Sequence, residues 1–109
     1  MDDSQERRLA ANEVVFREVN ESILRGQWPG DESKTVQFRC ECSRLGCNLL
    51  LSLTVAEYEA VREHSRRFVL IDGHEIPEIE KVVERRGGHV IVEKTHEAAK
   101  VARRTDPRS

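Results

Sequence analysis

The chain reads as an α+β domain: a long N-terminal helix packed on a mostly antiparallel sheet and closed by a C-terminal helix. Three observations point there. Apolar residues recur at helical spacing over the first quarter of the chain. Short apolar runs bounded by turn residues fill the middle. A Gly87-Gly88 pair sits between two such runs near the C-terminal end, as in a hairpin. The resulting order, α-β-β-α-β-β-β-α with hairpin-like connections, favours antiparallel pairing.

Asp3, with Glu6 three residues on, predicts a helix start with an acid as cap. Leu9, Phe16, Val19 and Ile23 then recur on one face, with Ala11 and Val15 beside them, and Gly26 predicts the stop. Residues 1–27 thus form an amphipathic helix, followed by a loop over Trp28–Ser33. Its apolar stripe predicts core packing; the competing reading is a dimer or partner surface. Residues 34–104 form the α+β core. Thr35–Cys40 alternates apolar and polar residues, a strand pattern. Asn48–Leu53 is a continuous apolar run, suited to a strand with little water on either face. Thr54 and Glu57 spell a capping box, with Tyr58 and Val61 on one face of the helix that follows, ending near His64 or Ser65. Phe68–Ile71 is a third strand, broken by Asp72-Gly73. Val82–Glu93 predicts a hairpin, with a short helical turn over Pro77–Lys81 before it. Thr95–Arg104 predicts a last helix with a basic end that complements its dipole, and the DPRS tail is expected to fray.

Composition narrows the function. At 109 residues, with 38% hydrophobic and 35% charged side chains, the chain buries a thin core that a cross-link would help. A formal charge of −2 opposes wholesale attraction to nucleic acid or anionic lipid. No apolar stretch reaches the length of a membrane span, and MDDSQERR lacks a secretory core, so a cytoplasmic protein is expected. In that reducing compartment clustered cysteines bind metal or react more often than they form disulfides.

All three cysteines lie within eight residues, as C-x-C-x4-C. Side chains alternate along a strand, so Cys40 and Cys42 point the same way, and Ser43–Gly46 can turn Cys47 back to join them. Three convergent thiolates suit zinc, which completes a tetrahedron with a fourth ligand. The competing readings are reduced thiols packing as small hydrophobes and redox chemistry, the latter favoured if Arg39 and Arg44 lower the thiol pKa values. Four histidines could supply the fourth ligand. His74, on a Gly-containing turn at a strand end, ranks first; His89, His64 and His96 follow, and Glu75 is an oxygen ligand or supporting partner.

Several stretches together carry a resemblance. F-x-C-E-C-x4-C-N at Phe38–Asn48, L-T-x-x-E-Y-E-x-V-R at Leu53–Arg62, R-F-x-L, G-H-E-x-P-E at Gly73–Glu78, and the N-E-x-x-F-R-E-V-N-E helix at Asn12–Glu21 are similar to a set of small actinobacterial proteins of uncharacterised role. The resemblance implies that Cys40, Cys42, Cys47 and His74 belong to the shared motif. It supplies no activity. The chain departs from the pattern at His96, where glycine is expected, which lowers that histidine further as a ligand.

The sequence therefore predicts one structural Zn²⁺ held by Cys40, Cys42, Cys47 and His74, in a non-catalytic regulatory or protein-interaction module. No deaminase, HExxH or phosphate-loop signature supports an enzyme. A thiol-based redox switch and a nucleic-acid-binding regulator using the paired arginines are the alternatives, and a homodimer through the N-terminal helix is a further expectation.

Overall fold

Asp2, not Asp3, starts the first helix: its carboxylate accepts the Gln5 amide at 2.7 Å, leaving Asp3 as the first helical residue. The computed structural model describes residues 1–27 and 30–108, so Trp28 and Pro29 of the predicted loop lie outside the described residues, as does Ser109. In chain order the elements are α1 (Asp3–Arg25), β1 (Thr35–Arg39), β2 (Leu50–Thr54), α2 (Val55–Arg62), β3 (Arg67–Ile71), β4 (Glu80–Arg86), β5 (His89–Lys94) and α3 (His96–Arg104). This is the α+β order read from the sequence.

The strands form two antiparallel sheets, not one. β1 pairs with β2, and β3-β5-β4 make the second sheet. The chain just after β1 joins them, where the Glu41 amide donates to the Val69 carbonyl at 2.9 Å. β2 alternates, so Leu51 and Leu53 are buried while Leu50 is 51% exposed and Leu49 46%. The expectation of a strand dry on both faces fails here because only one face of this two-stranded sheet packs against the core. Thr54 and Glu57 form the predicted capping box, with bonds of 2.8 and 3.0 Å. β4 begins at Glu80, so the helical turn expected over Pro77–Lys81 is only a turn that ends at Ile79. Register shifts between Val82 and Glu84, which leaves Val83 38% exposed. Gly87 closes the hairpin with φ +59°, a conformation that glycine adopts freely.

α1 is the spine of the molecule, and its buried face is not the one its apolar spacing suggests. Phe16 is buried, but Leu9, Val19 and Ile23 are only half-buried, and Ala11 and Val15 are exposed. The covered face consists of Glu6, Ala10, Glu13, Phe16, Arg17, Asn20, Glu21 and Leu24. Each polar residue on it finds at least one distant partner. Glu6 accepts the Ala98 amide in the first turn of α3 at 3.2 Å, where a carboxylate suits the helix dipole. Arg17 donates to the carbonyls of Ser65 (2.9 Å) and Ala102 (3.0 Å) and lies 4.7 Å over the Phe68 ring. Glu21 accepts from Arg62 at 2.6 Å and from Arg108 at 3.0 Å. Satisfied in this way, buried polar groups add little net stability each, but orphaning one costs the full desolvation penalty. They fix the helix in one rotation.

The same network overturns the expected fraying of the tail. Asp106 is buried against Arg62 at 2.5 Å, and Arg108 forks onto Glu59 at 2.8 and 3.2 Å. His96 opens α3 with φ +51°, the left-handed region that glycine occupies without a Cβ penalty.

Candidate metal centre

β1 ends at Arg39, and the extended backbone beyond it keeps Cys40 and Cys42 on one side, as the alternation rule requires. Both are buried, at 1% and 0% exposure. They pack with Phe68, Leu70, Val90, Val92 and Ala102, so the second sheet and α3 form the floor of the site. The chain then turns through exposed Arg44, Leu45 and Gly46, and the Cys47 amide bonds back to the Arg44 carbonyl at 2.8 Å, returning a half-buried Cys47 to the cluster. Between β3 and β4, Gly73 takes φ +97° and the His74 amide bonds to the Ile71 carbonyl at 3.0 Å, presenting the imidazole from the opposite side.

The ligand atoms of Cys40, Cys42, Cys47 and His74 all lie within 4.8 Å of one another. His74 Nδ1 is 3.5 Å from Cys40 Sγ and 3.9 Å from Cys47 Sγ. A tetrahedral shell with zinc–sulfur bonds of about 2.3 Å and zinc–nitrogen bonds of about 2.05 Å requires sulfur–nitrogen edges of about 3.6 Å. The observed edges bracket that value, so these four groups could hold a metal ion. Among the described residues no other group of His, Cys, Asp or Glu converges in this way.

Supporting contacts surround the cluster. The Ile71 amide donates to Cys40 Sγ at 3.2 Å, a bond that favours thiolate. Arg39 donates to the Cys47 carbonyl at 2.8 Å while stacking 5.0 Å over Phe16, and Asn12 donates to the Ser43 carbonyl at 3.0 Å. The Asn20 amide bonds both the N–H (2.7 Å) and the C=O (2.9 Å) of Arg39, the residue before Cys40. α1 therefore holds the cysteine segment from one side. Beneath it, Glu41 is fully buried and accepts from Tyr58 (2.6 Å), Asn20 (2.9 Å) and the Val69 amide (3.0 Å); burial raises its pKa above the usual carboxylate range despite those bonds. It is a structural anchor on the side away from the sulfurs.

Cys40 and Cys42 interact sulfur to sulfur. The hydrogen bond from Cys40 pushes the Cys42 thiol down to about 4, while the same bond and then burial push Cys40 upward. The largest cause is the sulfur pair itself, and Arg44 contributes through its backbone, not through the guanidinium charge that the sequence suggested; Arg39 is engaged with a carbonyl and a ring. A group that already favours thiolate lowers the proton cost of metal binding.

Of the other candidates, His89 and His64 line a cleft between α2 and the three-stranded sheet, and His96 is exposed on α3. Glu75 accepts the Gly73 amide at 2.8 Å and so braces the turn that carries His74. Asn12, Asn20 and the Ile71 amide escaped the sequence reading. Their partners lie 19 to 31 residues away, and no local pattern announces such a bond.

Comparison with known proteins yields no match: no family model, no curated protein and no solved structure is similar to this chain. No described helix is long and apolar enough to cross a membrane.

Proposed function

We propose that the protein binds one structural Zn²⁺ through Cys40, Cys42, Cys47 and His74 and serves as a non-catalytic regulatory or protein-interaction module. The observation that carries this reading is the convergence of three sulfurs and one imidazole nitrogen within 4.8 Å. Three sulfurs and one nitrogen suit zinc, whereas an iron–sulfur cluster ordinarily takes four cysteines. Four protein ligands leave no open position for a substrate, which marks the structural type of site. Such an ion would tie the end of β1, the cysteine loop and the β3–β4 connection, three segments from two sheets. It would thereby hold in place a loop that leaves Leu45, Leu49 and Leu50 between 46% and 59% exposed, the kind of apolar surface a partner protein covers.

Two of the four arginine pairs, Arg66-Arg67 and Arg85-Arg86, favour this over nucleic-acid binding. Arg66 and Arg67 face Glu93 (3.8 and 3.2 Å), Arg85 faces Asp72 (2.9 Å), and Arg86 faces Glu84 (2.7 Å). Acids on the protein already answer these charges, so they do not make a free basic stripe. The test is metal content after purification without chelator. Wild type is expected to carry about one zinc per chain and Cys42→Ser far less. A wild type that neither retains zinc nor takes it up on titration refutes the proposal.

A further inference from the structure

The three sulfurs differ in access, and this assigns them different chemistry toward peroxides. Cys40 and Cys42 are 1% and 0% exposed, whereas Cys47 is half-buried on a loop whose preceding three residues, Arg44, Leu45 and Gly46, are all exposed. A Cβ built on Gly46 meets nothing within 4 Å, so the approach over this side is open. Cys40 is further restrained: its amide pairs with the Leu49 carbonyl at 3.1 Å and its sulfur accepts the Ile71 amide. We propose that Cys47 is an oxidation site for hydroperoxides, with Cys42 as the thiol that resolves it, and that forming the Cys42–Cys47 disulfide expels the metal. This inference rests on the zinc reading above and adds a regulatory role to the same site.

The chemistry balances as follows. The Cys47 thiolate attacks one oxygen of hydrogen peroxide; a sulfur–oxygen bond forms, the oxygen–oxygen bond breaks, and the leaving hydroxide takes a proton from solvent to become water. The Cys42 thiolate then displaces hydroxide from the sulfenic acid; a sulfur–sulfur bond forms, the sulfur–oxygen bond breaks, and the hydroxide is again protonated. Two thiolates lose two electrons, and one peroxide with two protons becomes two waters. The metal then has only Cys40 and His74 left and dissociates. Cys42 is the resolving partner because its sulfur lies within 4.8 Å of that of Cys47. Only the Ser43–Gly46 turn, exposed from Arg44 to Gly46, needs to adjust between them, whereas Cys40 is tied to the Leu49 carbonyl and to β3. A small dithiol reductant reverses the step and restores the site.

The experiment treats zinc-loaded protein with stoichiometric hydrogen peroxide while a chromogenic chelator reports free zinc, and the disulfide is mapped by mass spectrometry. Expected are one zinc released for each two thiols lost, a Cys42–Cys47 linkage with Cys40 still a free thiol, and recovery of zinc binding after reduction. Zinc retained under peroxide, or a first linkage joining Cys40 to Cys42, overturns this inference and leaves the zinc reading intact. A protein that never binds zinc overturns both.

Discussion

Glu13→Gln is expected to be more stable than wild type at alkaline pH and to converge with it as the pH falls. Glu13, Lys94 and Glu80 meet with no access to solvent around either Glu13 or Lys94, and Lys94 donates to both carboxylates. One cation cannot neutralise two buried anions, and burial, reinforced by Glu80 and opposed by Lys94, holds the Glu13 carboxyl well above its usual range. Glu13 Oε2 also has no hydrogen-bond partner among the described residues. A carboxyl whose folded pKa exceeds its unfolded one binds its proton more tightly in the native state. Its stabilising contribution is therefore complete below the unfolded pKa and is lost as pH rises through the folded pKa. Between the two pKa values wild type loses about 1.4 kcal/mol per pH unit, and above the folded pKa the loss levels off, so each unit by which burial raises this carboxyl counts against a stability of roughly 5–15 kcal/mol. Glutamine has the shape of the protonated acid and no proton to lose. The assay is urea unfolding of both proteins at several pH values from about 6 to 8.5 with zinc held saturating, so that metal–thiolate linkage is common to the two and cancels in the difference. Parallel stability curves across that window, or a glutamine variant weaker by a constant amount, refute the argument.

Two other outcomes follow from the same contacts. His74→Ala is expected to lose metal and melting temperature together, by about 10 °C, because binding energy at a closed site is folding energy; metal analysis and thermal melts check it, and unchanged occupancy would move the fourth ligand elsewhere. Asn20→Ala strips two backbone bonds from Arg39 and one from Glu41 and is expected to cost about 3 kcal/mol in urea unfolding, with weaker zinc retention in a chelator competition because Arg39 precedes Cys40.

The candidate site was largely legible in the chain because its geometry is local. Cys40 and Cys42 share a face through strand alternation, Cys47 returns through a short turn, and His74 follows Gly73, whose positive φ turns the chain two residues beyond the end of β3. The element order was legible for the same reason: the Thr54–Glu57 capping box and the Gly87-Gly88 turn act within a few residues of themselves. What could not be read is the rotation of α1. Apolar spacing marks Leu9, Val19 and Ile23, yet Glu13, Arg17 and Asn20 lie deeper. A charged residue on a helix counts as solvent-facing until its partner is known, and those partners are Lys94, 81 residues on, Ala102, 85 residues on, and Arg39, 19 residues on.

The sequence by itself thus determined the kinds and order of elements and gathered the sulfurs, since both depend on dihedral preferences and side-chain periodicity over a few residues. The tertiary structure alone decided which helix face is buried, how the tail docks and which sulfur meets solvent. Those outcomes turn on desolvated charges finding partners across the chain, a condition satisfied only once the whole domain has closed.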